Sequence, residues 1–169
     1  MKTLLDIENW PRKEHFLFFK QFEEPFFGLT VEIDCTKAYQ TAKELGTSFF
    51  VYYLHKTIVA VNSIEPFRYR IEEDKIYIYD TIDVSATIMR KDKTFGFSLI
   101  EYSPEFEVFA ANSVKEIERI QNTAGLFTRE FPENIIHFSA IPWINFTGLT
   151  HSRSYTLPDS CPKVSFGKL

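Results

Sequence analysis

The sequence contains very little cysteine. Its 169 residues include two, Cys35 and Cys161, far apart in the chain. Two isolated cysteines form neither the paired spacing of a zinc site nor the framework of a disulfide-stabilised domain. We therefore expect two free thiols in a reducing cytoplasm, and no metal site.

Long apolar runs and basic clusters are also missing. No apolar stretch approaches the roughly 20 residues needed to cross a bilayer, and the segment 1–16 turns charged too early for a signal peptide. No basic run exceeds two residues and the formal net charge is −4, which argues against binding nucleic acid or an anionic membrane. A Gly-rich phosphate loop and a G-x-S-x-G nucleophile elbow are absent from the sequence.

Aromatic residues, in contrast, are abundant: 18 Phe, 8 Tyr and 2 Trp. Aromatic rings line apolar pockets and oligomer interfaces, but they also fill ordinary cores, and composition does not separate these two interpretations. The length suits a single domain over 1–169 with a sizeable core.

Hydrophobic periodicity predicts an α/β (α+β) fold, a two-layer sandwich of a mixed, mostly antiparallel sheet packed by helices. Helices are predicted over 12–22, 35–45, 49–62 and from Pro104 onward. Strands are predicted over 27–33, 67–72, 75–80, 84–90, 95–102, 135–139 and 163–169, with a weaker candidate over 144–149.

Four histidines are candidates for acid–base chemistry. His15 on the first helix and His55 in a buried helix are more typical of structural roles. His137 lies in a predicted strand, where a structural role is again the simpler interpretation. His151 begins the loop HSRSY, which is expected to be solvated but could border a site. None stands at metal-ligand spacing with another ligand residue.

The segment SAIPWINF at 139–146 is more informative. Ser139 ends an apolar strand, and Pro142 and Trp143 then turn the chain. A hydroxyl at that position could donate to a developing oxyanion, beside the flat apolar wall of a tryptophan. The alternative is that these residues merely form core and turn.

Five separated motifs together resemble the chloramphenicol acetyltransferases in order and spacing. They are NWPRKEHF at 9–16, FGLTVEIDCT at 27–36, SFFVYY at 48–53, TFGF at 94–97, and PEN at 132–134 followed by SAIPWINF. The resemblance covers essentially the whole chain and implies a coenzyme-A-dependent acyltransferase fold. It also implies a homotrimer with active sites at subunit interfaces, where a histidine takes the proton of the acceptor hydroxyl as it attacks acetyl-CoA.

The resemblance also assigns roles to individual residues. Ser139 matches the oxyanion serine, and Arg12 matches an arginine that pairs with an aspartate four residues after the catalytic histidine. Positions around the acceptor pocket match Phe18, Phe19, Phe27, Phe95 and Phe127. Positions near the coenzyme match Phe50, Trp143, Ser165 and Lys168.

Several positions depart from the family pattern. Phe19 and Phe50 each stand where the family has a tyrosine, and His151 falls near a leucine of the acceptor pocket. Losing polar groups weakens the orientation of a ligand more than its apolar burial. The acceptor therefore need not be chloramphenicol.

The family's catalytic signature, H-H-x-x-x-D-G, does not occur in the sequence. We expect the C-terminal part of the family fold, which carries it, to be missing from this chain. The predicted function is acetyl-CoA-dependent O-acetylation of a small apolar acceptor, by general-base catalysis with a serine-stabilised oxyanion. The alternative is a catalytically silent trimeric homologue that binds small molecules.

Overall fold

The computed structural model of the protein describes residues 1–152 and 159–167. The helices are α1 (Lys13–Phe19), α2 (Thr36–Glu44), α3 (Phe49–Ser63) and α4 (Phe106–Gln121), with a short 3-10 helix at Glu65–Arg68. The strands are β1 (Lys2–Leu4), β2 (Tyr69–Glu72), β3 (Lys75–Tyr79), β4 (Asp83–Met89), β5 (Phe95–Phe97), β6 (Ile135–Ala140) and β7 (Lys163–Phe166). None of the described helices is long and apolar enough to cross a membrane.

The strands are divided between two sheets. The smaller is antiparallel, in the order β1-β3-β2. The central sheet has the order β5-β4-β6-β7, in which β5 runs antiparallel to β4 while β4, β6 and β7 are parallel neighbours. The mixed α/β class is confirmed.

The predicted hairpin is present as β2 and β3. Its two turn residues, Glu73 and Asp74, have φ angles of 48° and 64°. Two successive left-handed residues are the requirement of a type I′ turn, whose twist matches that of the flanking strands. An acidic pair, rather than the more usual Asn-Gly, therefore makes this turn.

One face of the central sheet packs against α3 and α4. Val84 and Ala86 of β4 and Ile136 and Phe138 of β6 are 0–2% exposed. From the helices, the same core receives Val51, Leu54, Ile58, Phe109 and Ile120. Because side chains alternate across a strand, Ser85, His137 and Ser139 must point to the opposite face of the sheet.

The prediction of a strand over 27–33 is wrong. Phe27, Leu29, Val31 and Ile33 alternate as a half-buried strand should, yet they are 92%, 83%, 64% and 75% exposed. A period-two pattern produces a strand only where another strand satisfies its backbone, and none of the strands that the structure describes pairs with this segment.

Other differences concern element ends. The first helix stops at Phe19 rather than at residue 22, and the strand predicted over 95–102 keeps regular pairing only to Phe97, with an isolated bridge between Val84 and Ile100. The segment 144–149 forms no strand. The short edge strand β1 was not predicted, because three residues carry too little periodicity.

A buried arginine joins the two sheets. Arg70 on β2 is 1% exposed, and within the described residues its guanidinium donates to backbone carbonyls alone. Nε donates to Glu133 (3.1 Å), Nη1 to Phe67 (3.0 Å) and Tyr69 (2.6 Å), and Nη2 to Ile135. Since Ile135 begins β6, this one side chain links the hairpin to the central sheet.

We predict that Arg70→Met lowers the free energy of unfolding by about 3 kcal/mol, because several buried carbonyl oxygens would lose their donors. Arg70→Lys should rescue little, since a single ammonium does not span the positions reached by a planar guanidinium. Urea denaturation would measure both variants. Arg68→Met is the matched control, because Arg68 donates to a single carbonyl, that of Tyr79. A loss no larger than the control's would contradict this assignment.

Candidate functional site

The face of the central sheet that points away from the core carries a row of polar side chains. His137 and Ser139 alternate with the buried Ile136 and Phe138 on β6. Pairing places Ser85 of β4 beside His137, and Ser165 of β7 beside Ser139. In-register neighbours in a sheet point to the same face, so residues from three strands meet there.

A cavity of about 250 Å³ opens on this polar face. The two central strands form its floor, and the segment that leads into β6 forms much of its wall. Its lining consists of Ser85, Phe97, Phe127, Phe131, Pro132, Glu133, Ile135, His137, Asp159 and Cys161. The cavity thus combines an apolar, aromatic wall with a few polar groups, the usual composition of a small-molecule site.

Aromatic rings in contact build the wall. Phe97 stacks on Phe127 with centroids 5.2 Å apart and also meets His137 at 6.0 Å. Phe127 in turn contacts Phe131, and Phe95 contacts Phe97 edge to face. Phe127 was predicted to line the acceptor pocket and does line this cavity, while Phe95 borders it through Phe97.

The wall-forming loop after α4 is held to the sheet by Arg90 at the end of β4. Arg90 donates from Nε to Ile120 O (2.8 Å) and from Nη2 to Gly125 O (2.6 Å). Gly125 has a φ of 95°, a conformation that favours glycine. The backbone N–H of Phe97 also donates to Leu126 O at 3.1 Å. The rings of this loop are therefore fixed against the cavity.

A buried carboxylate fixes the same loop from the helix side. Glu116 of α4 accepts hydrogen bonds from Arg119 Nε (2.7 Å) and from the Leu99 N–H (2.9 Å). Arg119 also donates to Thr128 Oγ1, one residue after Phe127. Burial alone would raise the pKa of Glu116, but these hydrogen bonds outweigh burial and lower it, so the carboxylate stays charged.

An imidazole from the following loop reaches the polar row. His151 Nε2 lies 3.1 Å from Ser165 Oγ, and Ser165 is the register partner of Ser139. The half-buried Ser139 hydroxyl therefore stands next to a hydroxyl that contacts a histidine. The expectation that the HSRSY loop could border a site remains a prediction, and residues 153–155 of that loop lie outside the described residues.

Comparison with known proteins identifies the family. The family model described as chloramphenicol acetyltransferase matches residues 1–155. The chain belongs to the chloramphenicol acetyltransferase family. This is a family of acyltransferases, as the motif spacing indicated.

Individual relatives agree with the family match. Chloramphenicol acetyltransferase 3 of Escherichia coli is 30% identical over 146 residues, covering 85% of this chain and 68% of that protein. The chloramphenicol acetyltransferase of Proteus mirabilis is 26% identical over 98% of this chain and 76% of its own length. A solved structure named chloramphenicol acetyltransferase superposes with a TM-score of 0.91 at 35% identity, covering 99% of this chain and 82% of that one.

Four of the five acceptor-pocket assignments made by family resemblance lie outside the cavity lining, among them Phe95, which borders the cavity through Phe97. Phe18 and Phe19 sit at the end of α1, where they contact each other and Phe22 and remain 58% and 53% exposed. Phe27 is in the exposed segment described above. All five acceptor-pocket assignments remain predictions, as does that of Arg12, which is exposed at the start of α1.

The coenzyme-side assignments are dispersed. Trp143 follows β6 and is 65% exposed, and Ser165 stands in the polar row. Phe50 packs on the core side of the sheet, where its ring meets Tyr53 at 5.6 Å. Lys168 lies outside the described residues. The structure thus places Ser165 beside Ser139, and these assignments also remain predictions.

Sequence reasoning assigned no role at the site to most of the residues that line the cavity, Ser85 among them. Phe97 and Phe131 line the cavity, and His137 stands on its floor. The TFGF motif contained a signal for Phe97, since alternation places it on the same face as Phe95. His137 had such a signal too, because it lies two residues before Ser139 on one strand and must share its face.

The His137 imidazole is held neutral. Burial lowers its pKa, and the nearby charge of Lys163 lowers it further, against an opposing effect of Asp159. Lys163 is ion-paired with Asp159. A neutral imidazole has one ring nitrogen that donates and one that accepts, so it can bind an uncharged polar group.

Cys161 and His55 behave as structural residues. Both cysteines are free thiols. The Cys161 thiol lies 3.2 Å from Ile135 O, and burial raises its pKa, which disfavours the reactive thiolate. His55 is buried among Phe106 and Phe109, with Nε2 bonded to Ser103 O. In the part of the chain that the structure describes, no group of three or more ligand residues is placed to hold a metal ion.

The lowered pKa of His137 predicts a pH dependence of stability. Below the ordinary value of 6.5, the unfolded chain takes up a proton that the folded chain resists, so the free energy of unfolding falls as pH decreases through this range. His137→Gln should remove this contribution and leave a flatter profile. Charged or titratable groups around it, namely Asp159, Lys163, His151 and Arg70, remain in both proteins.

Urea denaturation between about pH 7.5 and pH 5 would measure the difference between the two profiles. The contribution of His55, whose pKa burial also lowers, cancels in that difference. His15→Gln, at an exposed position, is the control. Parallel profiles for the wild type and His137→Gln would show that His137 is not held neutral.

Proposed function

We propose that the protein transfers the acetyl group of acetyl-CoA to a hydroxyl of a small, largely apolar acceptor bound in the cavity. The observation that carries this proposal is the position of Ser139. It is on the same strand and the same face as His137 of the cavity floor, roughly 6–7 Å further along the strand. A hydroxyl donor thus stands beside a cavity with the composition of a ligand site.

In this mechanism the Ser139 hydroxyl donates a hydrogen bond to the oxyanion that forms when the acceptor oxygen attacks the thioester carbonyl. The aromatic wall, fixed by Arg90 and the Glu116 network, holds the acceptor body in place. Direct transfer between two bound substrates depends on such alignment rather than on a covalent enzyme intermediate.

The reaction also needs a general base, because a neutral hydroxyl is a poor nucleophile. We propose that this base is the histidine of the family's H-H-x-x-x-D-G signature, which is not among the 169 residues. The family resemblance implies that this histidine acts across a subunit interface and that Arg12 pairs with the aspartate of the same signature.

The acceptor is proposed from the family and from the cavity. The relatives are named chloramphenicol acetyltransferases, and the wall of Phe97 and Phe127 suits an aromatic acceptor such as chloramphenicol. Acetylating that drug would make the protein a resistance or detoxification enzyme in the cytoplasm. Because Phe19 lacks the hydroxyl of the family's tyrosine, another acceptor of the same shape is equally compatible with the site.

Acetyl-CoA is proposed to approach from the side of Ser165 and Trp143. Ser165 adjoins Ser139 in the polar row, and Trp143 offers an exposed ring just after the same strand. Phe50 and Lys168 are assigned to the coenzyme by resemblance alone.

We further propose that the protein assembles as a homotrimer with sites between subunits. The supporting feature is the exposed apolar segment of Phe27, Leu29, Val31 and Ile33, which follows the aromatic end of α1. Contiguous exposed apolar patches mark interaction surfaces. The segment would be buried against a neighbouring subunit.

The alternative expected from the sequence is a catalytically silent trimeric homologue that binds small molecules. The two candidates differ in one assay. The enzyme releases free coenzyme A from acetyl-CoA when chloramphenicol is added, whereas the silent homologue binds chloramphenicol without thiol release.

In a protein that also contains the signature histidine, Ser139→Ala should lower kcat by about 10²–10³-fold with little change in KM for chloramphenicol, because the contact forms mainly in the transition state. Steady-state thiol release would measure it. Ser113→Ala, which removes a hydroxyl bonded within α4, is the matched control. Unchanged turnover in Ser139→Ala would remove Ser139 from the mechanism.

Light scattering after gel filtration tests the trimer. The expected mass is three times the 19.8 kDa of the chain. Val31→Lys should shift the protein toward monomer by placing a charge in the interface, whereas Val114→Lys, at an exposed position on α4, should not. A monomeric wild type would refute the trimer without bearing on the acceptor cavity.

A further inference from the structure

The floor of the cavity contains two polar atoms that lack a hydrogen-bond partner. Among the described residues, four buried side-chain polar atoms lack a partner: His137 Nδ1 and Ser85 Oγ lie at the cavity, whereas His55 Nδ1 and Arg68 Nε lie elsewhere. Ser85 is 1% exposed, and the two residues are register partners on β4 and β6. They therefore stand side by side where the cavity meets the sheet.

This arrangement is unlike that of the other buried serines. Ser98 Oγ bonds both the N–H and the carbonyl of Ala86, and Ser113 Oγ bonds Phe109 O. The fold thus satisfies hydroxyls that serve only the core. Buried polar groups in native proteins are nearly always paired, and an exception calls for an explanation, such as a ligand.

We propose that His137 and Ser85 form a specificity contact for an uncharged hydrogen-bonding group of the acceptor, a hydroxyl or a carboxamide. The apolar body of the acceptor lies against Phe97 and Phe127. This inference rests on the proposed function only in naming the ligand as the acceptor.

The chemistry of the two side chains selects a neutral partner. Ser85 Oγ both donates and accepts, and the imidazole of His137 presents one donor and one acceptor nitrogen. The carboxylate of Asp159, which also lines the cavity, is already paired with Lys163. A hydroxyl or carboxamide complements such a pair without burying a new charge.

The position of the pair also constrains the shape of the acceptor. Ser139, proposed at the reacting centre, lies two residues beyond His137 on the same face, or roughly 6–7 Å along the strand. The acceptor therefore carries two polar groups separated by a similar distance, one acetylated and one anchored by His137 and Ser85.

A binding experiment with two probes of equal shape tests the contact. p-Cresol and p-xylene differ only by a hydroxyl in place of a methyl group. NMR titration of the full chain, following the His137 ring and the Phe97 and Phe127 signals, would give both dissociation constants. Their ratio, Kd for p-xylene over Kd for p-cresol, isolates the contribution of the hydroxyl.

We expect this ratio to fall about five- to ten-fold in Ser85→Ala and in His137→Phe, the typical loss for one neutral hydrogen bond. The affinity for p-xylene should hardly change in Ser85→Ala. Ser113→Ala, the matched buried serine, should keep the wild-type ratio. An unchanged ratio in both cavity variants would overturn the proposal.

Thermal stability provides an independent test of the proposed contact. Ser85→Ala removes an unpaired buried hydroxyl and should raise Tm by about 2–4 °C, whereas Ser113→Ala removes a paired one and should lower it. A fall in Tm for Ser85→Ala would show that Ser85 is structural and would overturn the proposal. Neither measurement uses acetyl-CoA, so failure of acetyl transfer and failure of this contact are separable.

Discussion

The parallel pairing of β4, β6 and β7 is the constraint on which the rest of the structure depends. Because successive side chains of a strand point to opposite faces, one register commits Ile136 and Phe138 to the core and His137 and Ser139 to the cavity side. A slip of one residue would exchange the two sets, placing an imidazole and a hydroxyl among α3 and α4. The core and the site are therefore specified by the same hydrogen bonds.

The cavity also depends on polar groups that touch no ligand. Arg90 and the Glu116 network hold the loop that carries Phe127, and Arg70 ties the beginning of β6 to the small sheet. Each of these bonds ends on a backbone carbonyl or a fixed side chain, so the aromatic wall does not rely on its own packing alone. Such support is what keeps a binding site in one geometry.

Much of this could be predicted from the sequence, and the failures have physical causes. The hairpin at Glu73 and the helices followed from local periodicity, and the position of Ser139 followed from a motif. The pairing of Ser85 with His137 joins strands about 50 residues apart, which no local pattern encodes. The segment 27–33 shows the converse error, since its alternation predicts a strand but does not supply a partner.

The central claim is that the face bearing Ser139 and His137 binds the acceptor. Chemical-shift mapping with chloramphenicol tests it most directly, since it requires no turnover. We predict the largest shifts at Ser85, Phe97, Phe127, His137 and Ser139, with little change in the core residues of α3. Acceptor binding at this face would be contradicted by saturable shifts confined to the aromatic end of α1. It would equally be contradicted if the residues of the cavity face showed no shift.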